Sequence, residues 1–343
     1  MLRRPMHANG IEVVADELHF AATPDHWRLA LHRHRPRGPG SGPPVILCGG
    51  YACNRHFIDY SERYSLARFL ARAGFDAWVL EPRGRGHSHP GPGCSRPRSW
   101  TFDDLVRLDV PAAVGHVVQA TGRDVMWVGH SMGGMMLYAY LGGTDEPRLR
   151  AGVTIAAPVV FPAAGSSLFH DLGHLLLRVP FGETVHQRWV LTSIWTLAVR
   201  RASALEVGMN PANVELRVVG RALQLFMENV PRVKLQQLAG WARDGVFSSV
   251  DGGVDYRAGL ARVTTPMLLI AGSADRVATP ASVTRAFDHL SAPPAAYLEF
   301  GRAHGHSADY GHVDLILGRR APDEVFSAVA DWLAARACEG AAA

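Results

Sequence analysis

Lysine is almost absent from this chain: Lys234 is the only one among 343 residues, and arginine carries nearly all of the positive charge. We interpret this scarcity as a bias of coding composition. The formal net charge is only +4 and no dense basic run occurs, so we expect no nucleic-acid partner. Charged residues make up 19% of the chain and hydrophobic residues 48%, which favours a large buried core over disorder.

Cysteines are also few, and their spacing excludes some classes of protein. No Cys-x-x-Cys pair occurs, and a chain of this length does not need disulfides to fold; the four cysteines are Cys48, Cys53, Cys94 and Cys338. The basic N-terminus lacks the apolar segment of a signal peptide, and no apolar run reaches the length of a membrane span. We therefore expect a soluble, cytoplasmic protein without integral membrane association. The oligomeric state is not indicated by these features.

The hydrophobic pattern alternates between strands and helices, with one long interruption. Strands are predicted at Val13–Phe20, Trp27–His32, Val45–Cys48, Phe75–Leu80, 125–130, Ala151–Ala156, 266–270 and Ala296–Phe300. Helices are predicted at Tyr64–Ala73, Phe102–Ala120, Met135–Leu141 and Asp323–Ala335. This order predicts an α/β fold with a mostly parallel central sheet and helices on both faces, built from residues 1–160 and 251–343. Residues 161–250, called the insertion below, show no clear strand and are predicted to form a helical cap or lid.

The most informative motif is Gly129-x-Ser131-x-Gly133. It follows a short apolar run with strand character and precedes an apolar, helix-like segment. This order is typical of a nucleophile elbow, in which the serine sits on a sharp strand-to-helix turn and its hydroxyl projects from the backbone. Glycine is needed at both flanking positions because a side chain there would press against the neighbouring strand or helix. The motif predicts Ser131 as a nucleophile.

A serine nucleophile needs a base and an acid, which in this kind of sheet follow it in the order acid, then base. Asp275 is the first candidate for the acid, since it stands in the loop just after a buried strand. A loop aspartate capping the helix near Pro280 would be the structural alternative. Asp251 and Asp255 are further candidates for the acid.

Three histidines could supply the base. His312 directly precedes an apolar run, where the start of a helix would hold its ring, whereas His304 and His306 lie earlier in a polar loop. Their positions alone do not choose among the three. Together with Asp309 they could suggest a zinc site, but the spacing is unfavourable and no second ligand cluster appears upstream. We therefore expect no metal and no cofactor; His87 and His89 are interpreted as loop residues.

The oxyanion that forms when a serine attacks a carbonyl group needs N–H donors. The loop after Val45–Cys48 begins with two glycines, which let the backbone turn sharply toward a substrate. We predict the backbone N–H groups of Tyr51 and Met132 as the two donors, with Ala52 as the alternative to Tyr51. A phosphate-binding loop is excluded because no Gly-Lys-Ser/Thr follows the glycines.

Together these residues resemble the α/β-hydrolase superfamily, of serine esterase and lipase type, over about residues 15–335. Residues 129–134, Gly-His-Ser-Met-Gly-Gly, are a common form of its elbow, and residues 83–88, Arg-Gly-Arg-Gly-His-Ser, resemble its Arg-Gly-x-Gly-x-Ser loop. Residues 310–318 are similar to the His-x-Asp-x-x-x-Gly segment of the acid lipases, which carries that family's base and implies this role for His312. The same family has a helical cap. One departure is visible, since Gly49-Gly50 replaces the usual His-Gly before the oxyanion donor.

The resemblance implies an α/β-hydrolase fold with a helical cap and a serine hydrolase that cleaves carboxylic esters through Ser131, Asp275 and His312. The expected partner is a small-molecule ester substrate with an apolar acyl group, and the length of that group is not indicated by the sequence. Apolar residues of the insertion either line an acyl pocket or form the core of the cap; these are Phe181, Trp189, Trp195, Phe226 and Met227. The alternatives are an acyltransferase with the same triad and a non-catalytic ligand-binding protein on this scaffold.

Overall fold

The computed structural model describes residues 14–37, 42–144, 148–161, 182–189, 192–193, 206–290 and 295–339. Its strands are β1 (Glu17–Ala22), β2 (Trp27–His34), β3 (Pro44–Cys48), β4 (Asp76–Glu81), β5 (His89–Pro90), β6 (Val125–His130), β7 (Leu149–Ile155), β8 (Thr184–Val185), β9 (Val230–Pro231), β10 (Met267–Gly272) and β11 (Ala295–Phe300). Its α-helices are α1 (Leu66–Arg72), α2 (Phe102–Asp104), α3 (Val110–Thr121), α4 (Met132–Leu141), α5 (Leu216–Phe226), α6 (Arg232–Asp244), α7 (Tyr256–Gly259), α8 (Pro280–His289), α9 (Asp314–Leu317) and α10 (Val325–Glu339).

One mixed sheet organises the chain. Its strand order is β1-β2-β4-β3-β6-β7-β10-β11, with β5 paired to β2 outside this order. The pairs β1–β2 and β2–β4 are antiparallel, and every pair from β4 to β11 is parallel. The carboxyl ends of β3, β6, β7, β10 and β11 therefore share one edge of the sheet. The predicted α/β-hydrolase fold with a mostly parallel sheet is confirmed.

Burial explains why the central strands read as continuous apolar runs. Every residue of β3, β4, β6 and β10 is buried, as expected for parallel strands covered on both faces. Helices pack on the sheet, and within the described ranges no helix is long and apolar enough to cross a membrane. Cys48, Cys53 and Cys94 are free thiols. Cys48 and Cys53 are buried, and burial raises the pKa of each thiol to about 12.

Three local predictions need correction. Of the strand predicted at Val13–Phe20, residue 13 lies outside the described residues, and the strand begins at Glu17 and extends to Ala22. The helix predicted from Phe102 to Ala120 contains a wide π-type turn at Leu105–Asp109 before α3. A proline stands in the first turn of α3 and has no N–H to continue the α-helical ladder, which accounts for the wide turn.

The third correction concerns the insertion, for which no strand was predicted. Thr184–Val185 pairs with Val230–Pro231 in a short antiparallel ladder, so the insertion is not purely helical. Two-residue strands carry no alternation that a sequence pattern could reveal. The division of the chain into core and cap remains a prediction.

Candidate active site

Ser131 occupies a strained turn between β6 and α4. Its backbone angles are φ 51° and ψ −118°, a combination that costs a residue other than glycine about 1–3 kcal/mol. Backbone hydrogen bonds hold the turn in place: the Ser131 N–H donates to the carbonyl of Ile155 at 2.8 Å, and the Ser131 carbonyl accepts from Gly134 at 2.9 Å and Met135 at 3.0 Å. This is the geometry that the motif predicts for an elbow.

The two glycines of the motif are required by close backbone contacts. A Cβ on Gly129 would lie 2.3 Å from the Gly133 carbonyl oxygen, and a Cβ on Gly133 would lie 2.3 Å from the Cys48 carbonyl oxygen. Neither neighbour is a flexible side chain that could move aside. Strand β6, the elbow and the end of β3 are therefore packed backbone against backbone.

We expect Gly129→Ala to lower the free energy of unfolding by about 3 kcal/mol or more, since the added methyl group has no space. Gly240→Ala is the matched control, because Gly240 lies within α6 and a Cβ there meets nothing within 4 Å. That variant should gain about 0.5–1 kcal/mol from its higher helix propensity. Chemical denaturation of both variants is the measurement, and equal stability of the two would contradict the packing described.

Asp275 lies directly after β10, at the predicted edge of the sheet. Its Oδ2 accepts a hydrogen bond from Nδ1 of His312 at 2.8 Å, and its side chain is fully buried. Its Oδ1 accepts from the backbone N–H groups of Val277 at 2.7 Å and Ala278 at 2.8 Å. Three donors thus fix the carboxylate and aim one of its oxygens at the imidazole.

The other acid candidates are engaged elsewhere. Asp251 accepts from Ser249 and Gly253 within a turn. Asp255 caps α7 by accepting from the Ala258 N–H at 2.9 Å. Of the three candidates, Asp275 is the one that contacts a candidate base.

Among the three histidines, His312 is the one bonded to Asp275. His304 lies in a short 3-10 turn and its ring is 48% exposed, next to Glu299. The ring of His306 lies against that of Phe300, with centroids 4.3 Å apart and the planes inclined by 32°. The side chain of His312 is only 11% exposed, and its ring lies 4.7 Å from the ring of His130, the residue before the elbow serine.

His130, the residue before Ser131, links the elbow to His312 by a hydrogen bond. The sequence analysis did not predict this role. Its Nε2 is 3.0 Å from the carbonyl oxygen of His312, and the two rings are 4.7 Å apart. Since a carbonyl only accepts, His130 Nε2 carries the proton and donates it. Burial and the adjacent His312 hold the pKa of His130 well below its usual value, so the ring is neutral. It thereby positions the backbone of the base next to Ser131.

The loop carrying His312 packs tightly against the loop carrying Asp275. A Cβ on Gly272 would lie 2.4 Å from the Tyr310 carbonyl oxygen, which also accepts from the Ala274 N–H at 2.9 Å. Asp314, of the His-x-Asp pattern, is fully buried and accepts from the Gly311 N–H at 2.9 Å. Burial raises the pKa of Asp314 to about 6. These contacts hold the acid and the base in register.

The glycine-rich loop after β3 borders the elbow. A Cβ on Gly50 would lie 3.2 Å from the Ser131 Cβ and 3.1 Å from Nδ1 of His130. The Gly50 carbonyl accepts from Nη1 of Arg85 at 3.0 Å, and the same nitrogen donates to the Cys53 carbonyl at 3.2 Å. Arg85 is buried, so this loop is fixed from behind by a side chain of the Arg-Gly-x-Gly-x-Ser segment.

The same loop is attached to the insertion. Glu228 donates its N–H to the Ala52 carbonyl at 2.8 Å, and Asn54 donates its N–H to the Phe226 carbonyl at 3.0 Å. The Tyr51 hydroxyl donates to Gln187 at 3.1 Å. The sole lysine, Lys234, is buried with its ammonium 5.3 Å from the Tyr51 ring centroid. Burial lowers the pKa of this lysine well below its usual range.

The apolar residues proposed for an acyl pocket differ in their burial. Phe226 is buried and packs edge-on against Phe57 at 5.1 Å, which supports a core role. Met227 is also buried, next to the loop after β3. Trp189 is 74% exposed and does not line a buried pocket. Phe181 and Trp195 lie outside the described residues.

Comparison with known families decides the class of the protein. Residues 45–301 match the family described as serine aminopeptidase, S33. The chain belongs to this α/β-hydrolase family. The match begins in β3, includes Ser131 and Asp275, and ends just after β11.

Individual relatives are similar over nearly the whole length of this α/β-hydrolase. It is 24% identical to triacylglycerol lipase 1 of Arabidopsis thaliana, covering 93% of this chain and 87% of that protein. It is also 24% identical to lysosomal acid lipase/cholesteryl ester hydrolase of Rattus norvegicus, covering 91% of this chain and 86% of the relative. The fold is similar to that of an esterase from Exiguobacterium antarcticum, with a TM-score of 0.62 at 16% identity, covering 92% and 98% of the two chains. The predicted resemblance is confirmed, and this α/β-hydrolase is an enzyme of the serine esterase and lipase type.

Proposed function

We propose that this enzyme hydrolyses carboxylic esters through an acyl-enzyme on Ser131, with His312 as the base and Asp275 as the orienting acid. The observation that carries the proposal is the 2.8 Å hydrogen bond between Asp275 and His312, whose backbone carbonyl is bonded to His130, the residue before the elbow serine. Because Asp275 accepts at Nδ1, the neutral imidazole keeps its proton there and its Nε2 lone pair is free to act as the base.

The reaction has two acyl-transfer steps. His312 Nε2 removes the Ser131 hydroxyl proton as the oxygen attacks the ester carbonyl, and then delivers that proton to the leaving alcohol. Water, deprotonated by the same nitrogen, attacks the acyl-enzyme and releases the acid. The transient imidazolium is stabilised by the buried carboxylate of Asp275.

The oxyanion formed in each step requires N–H donors, for which we propose Tyr51 and Met132. Met132 is the first residue of α4, so its N–H has no partner within that helix. In a planar trans peptide the carbonyl and the following N–H point in opposite directions. Arg85 holds the Gly50 carbonyl, so the N–H of Tyr51 faces away from Arg85. This arrangement favours Tyr51 over Ala52 as the first donor.

Arg85 is therefore a positioning residue in this account. We expect Arg85→Met to lower kcat by about 10- to 100-fold with little change in KM. A misaligned Tyr51 N–H would stabilise the oxyanion less well, and the oxyanion develops in the transition state and not in the bound substrate. Arg85→Lys should recover part of kcat, since an ammonium can donate to the same carbonyls. Steady-state kinetics with thermal denaturation of each variant is the measurement. A loss confined to KM, or equal losses in both variants, would contradict this role.

The test of the proposed function uses p-nitrophenyl esters of increasing acyl length. We expect turnover with an initial burst approaching one p-nitrophenolate per enzyme wherever deacylation is slow. The preferred length reports the size of the acyl site, which we propose to be apolar and formed with residues 161–250 as a cap. Absence of turnover across the whole series, from a folded protein, would favour the ligand-binding alternative.

Acyl transfer is the second candidate, because an alcohol can replace water in the second step on the same triad. Adding methanol during turnover separates the two. A hydrolase releases mainly the free acid, whereas a transferase accumulates the methyl ester. A cytoplasmic location and the absence of a nucleic-acid partner remain proposals based on composition.

A further inference from the structure

We propose that His32, Glu81 and His87 form a Zn²⁺ site that is separate from the proposed catalytic residues. Their ligand atoms, one from each side chain, all lie within 4.8 Å of one another. Sequence reasoning predicted no metal and treated His87 as a loop residue. A single sequence does not show that His32 on β2 lies close in space to two residues that follow it by about fifty positions.

The distances suit a tetrahedral ion. Nε2 of His32 is 3.0 Å from Oε2 of Glu81, and Nδ1 of His87 is 3.4 Å from the same oxygen. Ligand atoms around tetrahedral zinc, with bonds of about 2.0–2.1 Å, are separated by about 3.3 Å. Zinc can therefore be accommodated with small movements of the three side chains.

Backbone donors already orient the carboxylate, as outer contacts do in zinc sites. Oε1 of Glu81 accepts from the Arg55 N–H at 3.0 Å, and Oε2 accepts from the His87 N–H at 2.8 Å. Among the ion pairs of the described residues, the partners of Glu81 are the two imidazoles and no lysine or arginine. The nearby Arg55 guanidinium lies 3.6 Å from Asp59, which offsets its charge.

Two of the three ligands are buried and the third is open to solvent. The side chains of His32 and Glu81 are 6% and 1% exposed, whereas that of His87 is 57% exposed. An ion can reach the site from solvent past His87, and water can complete the coordination. A set of two imidazoles and one carboxylate favours zinc, because magnesium and calcium prefer oxygen ligands.

Bound zinc would join three parts of the chain. His32 belongs to β2, Glu81 ends β4, and His87 lies in the loop of residues 83–88, which also carries Arg85. Binding replaces a proton at each imidazole nitrogen that holds one, so protons are released to solvent. The ion would act structurally, by fastening this loop to the sheet.

The test is a titration of chelator-treated protein, purified without a histidine tag, with ZnCl2 by calorimetry. We expect one equivalent to bind to the wild type and to raise its Tm. His87→Ala should weaken binding by about tenfold or more, as loss of a ligand does. His87 is exposed, so this variant should fold, and Glu81→Gln provides an isosteric second variant.

His304→Ala is the matched control, because His304 is also an exposed histidine beside a carboxylate, 3.4 Å from Glu299, but belongs to no group of three potential ligands within the described residues. It should leave the single zinc equivalent unchanged. Co²⁺ added in place of zinc should give the visible absorption of a four-coordinate site in the wild type and lose it in His87→Ala. Absent zinc binding, or equal binding by the wild type and His87→Ala, would show that the three residues form only a hydrogen-bonded network.

Discussion

Ser131→Ala should lower kcat for an activated ester by about 10⁴- to 10⁶-fold, the largest effect of any single substitution in this enzyme. The hydroxyl oxygen is the atom to which the acyl group is transferred, and a methyl group cannot replace it. The backbone hydrogen bonds that hold the turn, which Ser131 donates to Ile155 and accepts from Gly134 and Met135, do not involve the hydroxyl. The variant should therefore keep the wild-type Tm and circular dichroism spectrum.

Ser307→Ala is the control for this prediction. Ser307 is exposed in the loop that precedes the base, and its backbone N–H donates to Glu324 at 3.0 Å. Removal of the Ser307 hydroxyl should leave kcat within about twofold of the wild-type value, as is usual for surface positions. Residual activity of Ser131→Ala within tenfold of the wild type would mean that another group is the nucleophile.

Asp275→Asn should lower kcat by about 10³- to 10⁴-fold with little change in stability. The amide oxygen can still accept from the N–H groups of Val277 and Ala278. Its NH₂ group, however, donates to His312 Nδ1, so the imidazole proton moves to Nε2 and the base loses its lone pair toward Ser131. The loss comes from the wrong tautomer and not from unfolding.

The matched control for Asp275→Asn is Asp251→Asn. Asp251 is another early candidate for the acid, and among the described residues it accepts hydrogen bonds from Ser249 and Gly253 of its own turn. Steady-state kinetics should show wild-type kcat for this variant. Comparable losses in the two variants, or activity of Asp275→Asn within tenfold of the wild type, would refute the assignment of the acid.

Much of the site could be predicted from sequence because its members follow local rules. A glycine on each side of Ser131, between a strand and a helix, fixes the elbow. Asp275 follows a buried strand, and the order of the sheet brings that strand end to the edge that carries the elbow. The choice of His312 over His304 and His306 depended on the resemblance to acid lipases, and the structure supports it by the bond to Asp275.

Other parts of the site follow no local pattern. His130 contacts a backbone carbonyl 182 positions away, and Arg85 donates to a carbonyl 35 positions away. A hydrogen bond to a backbone carbonyl does not constrain the residue type of its partner, because every residue has such a carbonyl. No spacing rule in the sequence therefore reveals these contacts. The pairing of His32 with Glu81 depends on the antiparallel register of β2 and β4, which a single sequence does not specify.

The most direct measurement is to label the wild-type enzyme with a fluorophosphonate and identify the modified residue by peptide mass spectrometry. We predict one adduct per chain, located on Ser131, absent in Ser131→Ala and formed much more slowly in Asp275→Asn. A folded wild-type protein that is not labelled, or that carries the adduct on another residue, would contradict the proposed triad.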